Sequence, residues 1–219
     1  VDNYVAALDS FQNNGAIVWA LSNCQDSSKY LATDLGYCYN DEALEDADIP
    51  SALPLLFTEL QEAWITVANV NVTTTTPLSS SELISAPCGQ TAKFCMAADG
   101  TDITVPALVN GGSDYYISDT GSSYAAPMVS GSMALLAEHF PNHSIEALVD
   151  RLLASANNEL GFSQTGSVTF GNGVVHGYSN EAGHGMLDIY AALQPITTSS
   201  SARNQIYAGS GSLGQSAFS

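Results

Sequence analysis

The sequence predicts an α/β protein with a mainly parallel sheet, and three stretches carry that prediction. Residues 1–13 place Val1, Tyr4, Val5, Leu8 and Phe11 at helical spacing, with Gly15 as a stop. Residues 16–21 follow as an unbroken apolar run, the pattern of a strand buried on both faces. Residues 128–140 carry apolar side chains around nearly the whole helical circumference and stop at Pro141, which predicts a central, buried helix. Helix, tight glycine turn and buried strand, in that order, are half of a parallel βαβ unit. Ser22 and Asn23 then end the strand at its carboxyl edge, where ligands and catalysis gather in open α/β sheets.

The remaining elements follow in order. Residues 24–53 read as a polar loop with an acidic cluster from Asp41 to Asp48. The cluster lacks the ligand spacing of a calcium loop and reads as solvated surface, so no cofactor is expected and calcium is left open. Residues 64–72 alternate enough for a second strand, and 73–81 form a Thr/Ser-rich loop. Residues 94–97 and 102–105 are two short strands on either side of Gly100. Ser144 opens a helix through about residue 157, with an apolar stripe of Ile145, Leu148, Val149 and Leu152. Residues 161–179 are hairpin-rich, and 187–193 form a last short helix. From Ile196 the composition turns to Ser and Gly. The domain therefore spans 1–195, with a linker or tail over 196–219.

Composition narrows the function. The 219 residues hold 22 Asp and Glu against 4 Lys and Arg, a net charge of −18. Such a chain repels phosphate backbones and anionic membrane surfaces, so nucleic acid is not an expected partner. Hydrophobic residues at 45% exclude disorder throughout. No stretch reaches eighteen apolar residues, so no transmembrane helix is expected. The chain begins at Val1 with no secretory leader and reads as a processed or partial product of a longer precursor. Cys24, Cys38, Cys88 and Cys95 lie as two local pairs, with thirteen and six residues between the members. An even count fits disulfides in an oxidising compartment, and the gaps do not fit a zinc knuckle. Four cysteines allow three pairings.

The sharpest motif is Gly121-Ser122-Ser123-Tyr124-Ala125-Ala126-Pro127-Met128-Val129-Ser130-Gly131. Small residues just before a helix let the backbone turn sharply and leave N–H groups facing open space. A serine there has its hydroxyl at the positive end of the helix dipole, and its own N–H can help bind a developing oxyanion. The same pattern also describes a plain N-cap serine.

This motif resembles the Gly-Thr-Ser-Met/Phe-Ala-x-Pro signature around the nucleophile of subtilisin-like serine proteases. Ser123 falls on the nucleophile, and Ser122 stands where Thr is usual. Gly15 to Asn23 resembles the strand ending in Ala-Ala-Gly-Asn, whose Asn binds the oxyanion. The resemblance assigns that role to Asn23. It gives Leu21 and Ser22 one wall of the pocket for the residue before the scissile bond. Trp64 to Ala68 resembles the strand after that pocket. Cys88-Gly89 with Cys95-Met96-Ala97-Ala98-Asp99-Gly100 is similar to the paired-cysteine segment of autotransporter-type subtilases, with Asp99 in place of Pro. Gly183-His184-Gly185-Met186-Leu187-Asp188 resembles the close of the catalytic domain. The expected disulfides are then Cys24–Cys38 and Cys88–Cys95, and the expected location is secreted or at the cell surface.

The resemblance also exposes a gap. Such an enzyme needs a His base and an Asp that orients it, both preceding the Ser in chain order. His139, His143, His176 and His184 all follow Ser123, and no His-Gly-Thr-His motif occurs. The chain reads as the carboxyl-terminal portion of a secreted endopeptidase acting on polypeptides. Its triad would be completed by an upstream portion of the same precursor. The alternative is an inactive subtilase-like domain kept as a structural or adhesion module. An α/β-hydrolase esterase would place its base after the Ser, at His176 or His184, but needs a Gly-x-Ser-x-Gly that residues 121–125 lack. Ser122, one residue from the expected nucleophile, should tolerate substitution.

Overall fold

Alternation along one central strand sorts the molecule into layers. The computed structural model describes residues 2–23, 47–72, 77–108, 114–171 and 173–196. Strand β2 (Trp64–Asn71) is rich in β-branched residues and buried along its first seven positions. It pairs in parallel with β1 (Ile17–Ala20), from Ile17 opposite Trp64 to Ala20 opposite Val67. On its other side it pairs in parallel with β4 (Cys95–Ala98), from Thr66 opposite Cys95 to Asn69 opposite Ala98. The short β3 (Glu82–Leu83) runs antiparallel against Val70 and Asn71.

Ile65 and Val67 point to one face, into a core with Ala125, Val129, Met133 and Leu136 of α3 (Ser122–His139). Helices α4 (Ile145–Ser155) and α5 (Ile189–Leu193) close that layer from behind. Ser144 caps α4 by accepting the N–H of Ala147 at 3.2 Å. Trp64 points to the opposite face, packed with Val5 of α1 (Asp2–Gln12), Leu60 and Phe94. Trp19 stacks on Trp64 there, with ring centroids 5.8 Å apart. A one-turn helix α2 (Leu53–Leu56) leads into this layer. The result is helix, parallel sheet, helix, the α/β arrangement the sequence predicts.

Two antiparallel hairpins complete the described residues. Strands β5 (Ile103–Leu108) and β6 (Asp114–Asp119) form one, and β6 runs directly into α3 through Thr120 and Gly121. Strands β7 (Gly166–Phe170) and β8 (Val174–Tyr178) form the other.

Three expectations change. β1 is half-buried at all four positions rather than buried on both faces. Among the described residues no strand pairs with its second edge. Helix α3 begins at Ser122, six residues before the apolar stretch, and buries one face only. Met128 is 38% exposed and Leu135 52%. The even apolar distribution hid the stripe of Ala125, Val129, Ser132, Met133 and Leu136 that faces the sheet. The third change, at Ser122, belongs to the site described below.

Cys88 and Cys95 are bonded, with Cα atoms 6.0 Å apart. Cys24, Cys38, most of the acidic cluster and the tail over 197–219 lie outside the described residues. Among the described residues no helix is long and apolar enough to cross a membrane, and no group of three or more His, Cys, Asp or Glu could hold a metal.

Candidate functional site

The first turn of α3 meets the carboxyl end of β1. Gly121 is buried, and a Cβ there would come within 3.3 Å of both side-chain amide atoms of Asn23, so a larger residue would push that amide aside by a few tenths of an ångström. Gly100, just beyond β4, supports the turn from below. Its carbonyl accepts the N–H of Gly121 at 3.0 Å, and a Cβ on it would strike the Gly121 carbonyl and the Ala125 N. Asn69 fixes Gly100 in turn, its Oδ1 accepting the Gly100 N–H at 2.7 Å. Asp99, where the resembled segment has Pro, accepts the N–H groups of Val72 and Thr101 through its two oxygens.

Ser122 is buried, and its hydroxyl reaches the Leu21 carbonyl at 2.5 Å and Asn23 Oδ1 at 2.9 Å. Its backbone N–H donates to the same Asn23 Oδ1 at 2.8 Å. Ser122 therefore holds Asn23, contacts that the expectation of free substitution at Ser122 leaves out. The Ser122 N–H fixes which amide atom of Asn23 is the acceptor, and Asn23 Nδ2 has no partner among the described residues. Leu21 itself is buried in the core, and its carbonyl rather than its side chain reaches the site. Ser22 is half-buried, its N–H held by Asp48 Oδ2 at 2.9 Å.

Ser123 is exposed in the first turn of α3. Among the described residues neither its hydroxyl nor its N–H has a partner. The N–H groups of its neighbours do: Ser122 donates to Asn23, and Tyr124 donates to the Gly121 carbonyl. The unclaimed donors of this turn are thus Ser123 N–H and Asn23 Nδ2, beside one free hydroxyl. Pro127, inside α3, has no N–H to offer the carbonyl four residues back, which is that of Ser123. Tyr124 donates its phenol to Asp119 Oδ2 at 2.6 Å, and that bond, with burial and the carboxylate charge, raises the phenol above its ordinary pKa.

No histidine of the chain serves Ser123. His139 lies sixteen residues along α3, roughly 24 Å away by helical rise, and His143 lies beyond the helix end. His176 and His184 are buried, and every ring nitrogen is taken. Their Nδ1 atoms face each other at 3.0 Å, His176 Nε2 faces the Ala156 carbonyl and His184 Nε2 the Lys93 carbonyl, each also at 3.0 Å. Burial holds both rings below the ordinary imidazole pKa, and His176 pushes His184 down further. The pair pins the closing segment to the sheet, where Met186 bridges to Ala97. An esterase base at either position has no support here. Sequence reading missed two parts of the site, the burial of Ser122 and the grip of Asp48 on Ser22. Both are long-range contacts with no local signature.

No curated protein matches the chain. The structure of MycP3 protease from the type VII (ESX-3) secretion system is similar over 86% of this chain and 47% of that one, at 24% identity and a TM-score of 0.50. The A-subunit of the AB5 toxin from E. coli is similar over 88% of this chain and 54% of that one, at 19% identity and a TM-score of 0.53. A structure of the SubAB subtilase cytotoxin assembly gives 88% and 52%, at 18% identity and a TM-score of 0.53. These likenesses establish a subtilisin-like fold, and the chain spans about half the length of each of these three structures. The Subtilase family (Peptidase_S8) matches residues 1–185, and with Ser123, Asn23 and the glycine turn in place, the chain belongs to the subtilase family.

Proposed function

We propose that this chain is the nucleophile-bearing portion of a secreted serine endopeptidase. The observation that carries the reading is the exposed Ser123 in the first turn of α3, whose hydroxyl and N–H have no partner among the described residues, as Asn23 Nδ2 has none. Ser123 Oγ would attack the peptide carbonyl carbon. Its proton passes to a histidine outside this chain and then to the leaving amine, and water hydrolyses the resulting ester. The carbonyl oxygen gains negative charge as the tetrahedral intermediate forms. Ser123 N–H and Asn23 Nδ2 would donate to it. Both are neutral, so they favour the intermediate over the ground state. Ser122 keeps the Asn23 amide turned the right way.

The open edge of β1 supports docking of upstream strands that bring the Asp and His. The chemistry calls for no cofactor. The Cys88–Cys95 disulfide and the scarcity of Lys and Arg fit an extracellular or envelope setting. So do relatives that act in secretion systems and toxins. Expressed alone, residues 1–219 should turn over no peptide. Joined to the upstream sequence they should hydrolyse peptides, and Ser123→Ala should abolish that hydrolysis. Turnover by the isolated chain, lost on Ser123→Ala, would contradict the need for an outside base.

A further inference from the structure

Ser123 lies inside a loop of chain that one side-chain bond closes. Strand β6 ends at Asp119 and α3 begins at Ser122, with Thr120 and Gly121 between them. On the inner side of this turn, Ser122 is tied to Leu21 and Asn23. On the outer side, Tyr124 donates its phenol to Asp119 Oδ2 at 2.6 Å, the length of a charge-assisted bond. The other oxygen of that carboxylate, Oδ1, accepts the Thr120 N–H at 2.8 Å, so the group that grips Tyr124 is itself fixed. Thr120 Oγ1 in turn accepts the Asp102 N–H at 2.9 Å, which ties the link to the base of the β5–β6 hairpin.

The backbone alone holds this turn weakly. The helical partner of the Ser123 carbonyl would be the N–H four residues on, and that residue is Pro127, which has none. The first helical bonds run to Gly121 instead, whose carbonyl accepts the N–H of Tyr124 at 2.9 Å and of Ala125 at 3.3 Å. Neither bond involves Ser123. Its orientation is therefore set through its covalent neighbours, Ser122 held inward and Tyr124 held outward. The outer bond lies at the surface, where water competes with it, so its loss should leave the stability of the fold nearly unchanged. What it fixes is the angle of the turn, and a reacting group misplaced by about 1 Å loses about 10²-fold in rate.

We infer that Tyr124, gripped by Asp119, is a positioning residue for the Ser123 hydroxyl. The inference rests on the endopeptidase reading above and adds a residue pair to its machinery. The complete protein, upstream residues included, is compared with Tyr124→Phe, Asp119→Ala, Asp119→Asn and the double variant Tyr124→Phe/Asp119→Ala. Tyr124→Phe should lower kcat roughly 10-fold and leave KM within about twofold, and the rate at which a fluorophosphonate labels Ser123 should fall with kcat. The double variant should be no slower than the slower single one, because both remove the same bond. Asp119→Asn, whose amide N–H can donate to the phenol oxygen, should keep more of the rate than Asp119→Ala. Urea midpoints should stay together across the set. An unchanged kcat in Tyr124→Phe, losses that multiply in the double variant, equal losses in Asp119→Asn and Asp119→Ala, or a kcat loss matched by a lower urea midpoint would overturn the inference while leaving the endopeptidase reading intact. An unaltered protein that shows neither hydrolysis nor Ser123 labelling would overturn that reading, and the positioning role with it.

Discussion

Strands β1 and β2 lie side by side, carry similar apolar sequence and end near an asparagine, yet they differ in exposure and in what the asparagine does. β2 is buried from Trp64 to Val70, because β1 and β4 flank it and helices cover both faces. β1 is half-buried throughout and, among the described residues, paired on one edge. Asn69 of β2 supports the fold, since its Oδ1 holds Gly100 and its Nδ2 is buried without a partner. Asn23 after β1 is held instead by Ser122, whose N–H donates to its Oδ1 at 2.8 Å. One strand end braces the glycine turn, and the other carries the asparagine proposed to bind the oxyanion. Among the described residues the second edge of β1 is unpaired, and the proposed upstream strands would dock there.

The largest expected effect tests the division between the two asparagines. In the complete enzyme Asn23→Ala should lower kcat about 10²–10³-fold with KM nearly unchanged, the effect known for losing such a donor in subtilisin itself and carried over through the family. It should also cost stability, because the buried Ser122 N–H loses its acceptor. Asn69→Ala should cost about 1–3 kcal/mol of stability by orphaning the Gly100 N–H, with a much smaller loss in kcat. Equal effects of the two on kcat would erase the distinction.

The second prediction concerns the strands themselves. Ile65→Ala in β2, fully buried, should cost about 2–5 kcal/mol in urea unfolding. Val18→Ala in β1 should cost about 1 kcal/mol in residues 1–219 alone and more in the complete protein, where docking covers that strand. An equal cost in the two settings would leave β1 an edge in both.

Smaller effects come from titration. Burial lowers the folded-state pKa of both His176 and His184, so the unfolded chain binds more protons as pH falls. Their stability contribution is therefore complete above about 6.5 and lost as pH drops below it. The urea midpoint should decline from pH 7 to pH 5, and His184→Asn should flatten that slope. Asp150 acts in the opposite direction. Burial, with Glu146 nearby, raises it to about 6, so the stability it contributes at low pH is lost as pH rises through that value. Asp150→Asn should raise the midpoint slightly at pH 7 and not at pH 4.

Much of the comparison is readable in the sequence where contacts are local. The apolar runs name both strands, the Gly121 to Pro127 motif marks the turn that exposes Ser123, and Ser144 marks its helix start. An apolar run does not say how many edges of a strand are paired, so β1 reads as buried. The first turn of α3 is written in small residues that carry no helical stripe, so the helix reads as starting at Met128. Ser122 looks like a spare hydroxyl because its partners, Leu21 and Asn23, are about one hundred residues away. Asp48 looks like one member of a solvated acidic run, and only its bond to Ser22 distinguishes it.

Ser123 is the centre of the account, and covalent labelling tests it most directly. The complete protein is treated with a fluorophosphonate and the modified peptide is mapped by mass spectrometry. The account predicts one phosphonyl group on Ser123, with Ser122 unmodified and labelling slowed by Asn23→Ala. A label on Ser122, or hydrolytic activity that survives with Ser123 unlabelled, would contradict it.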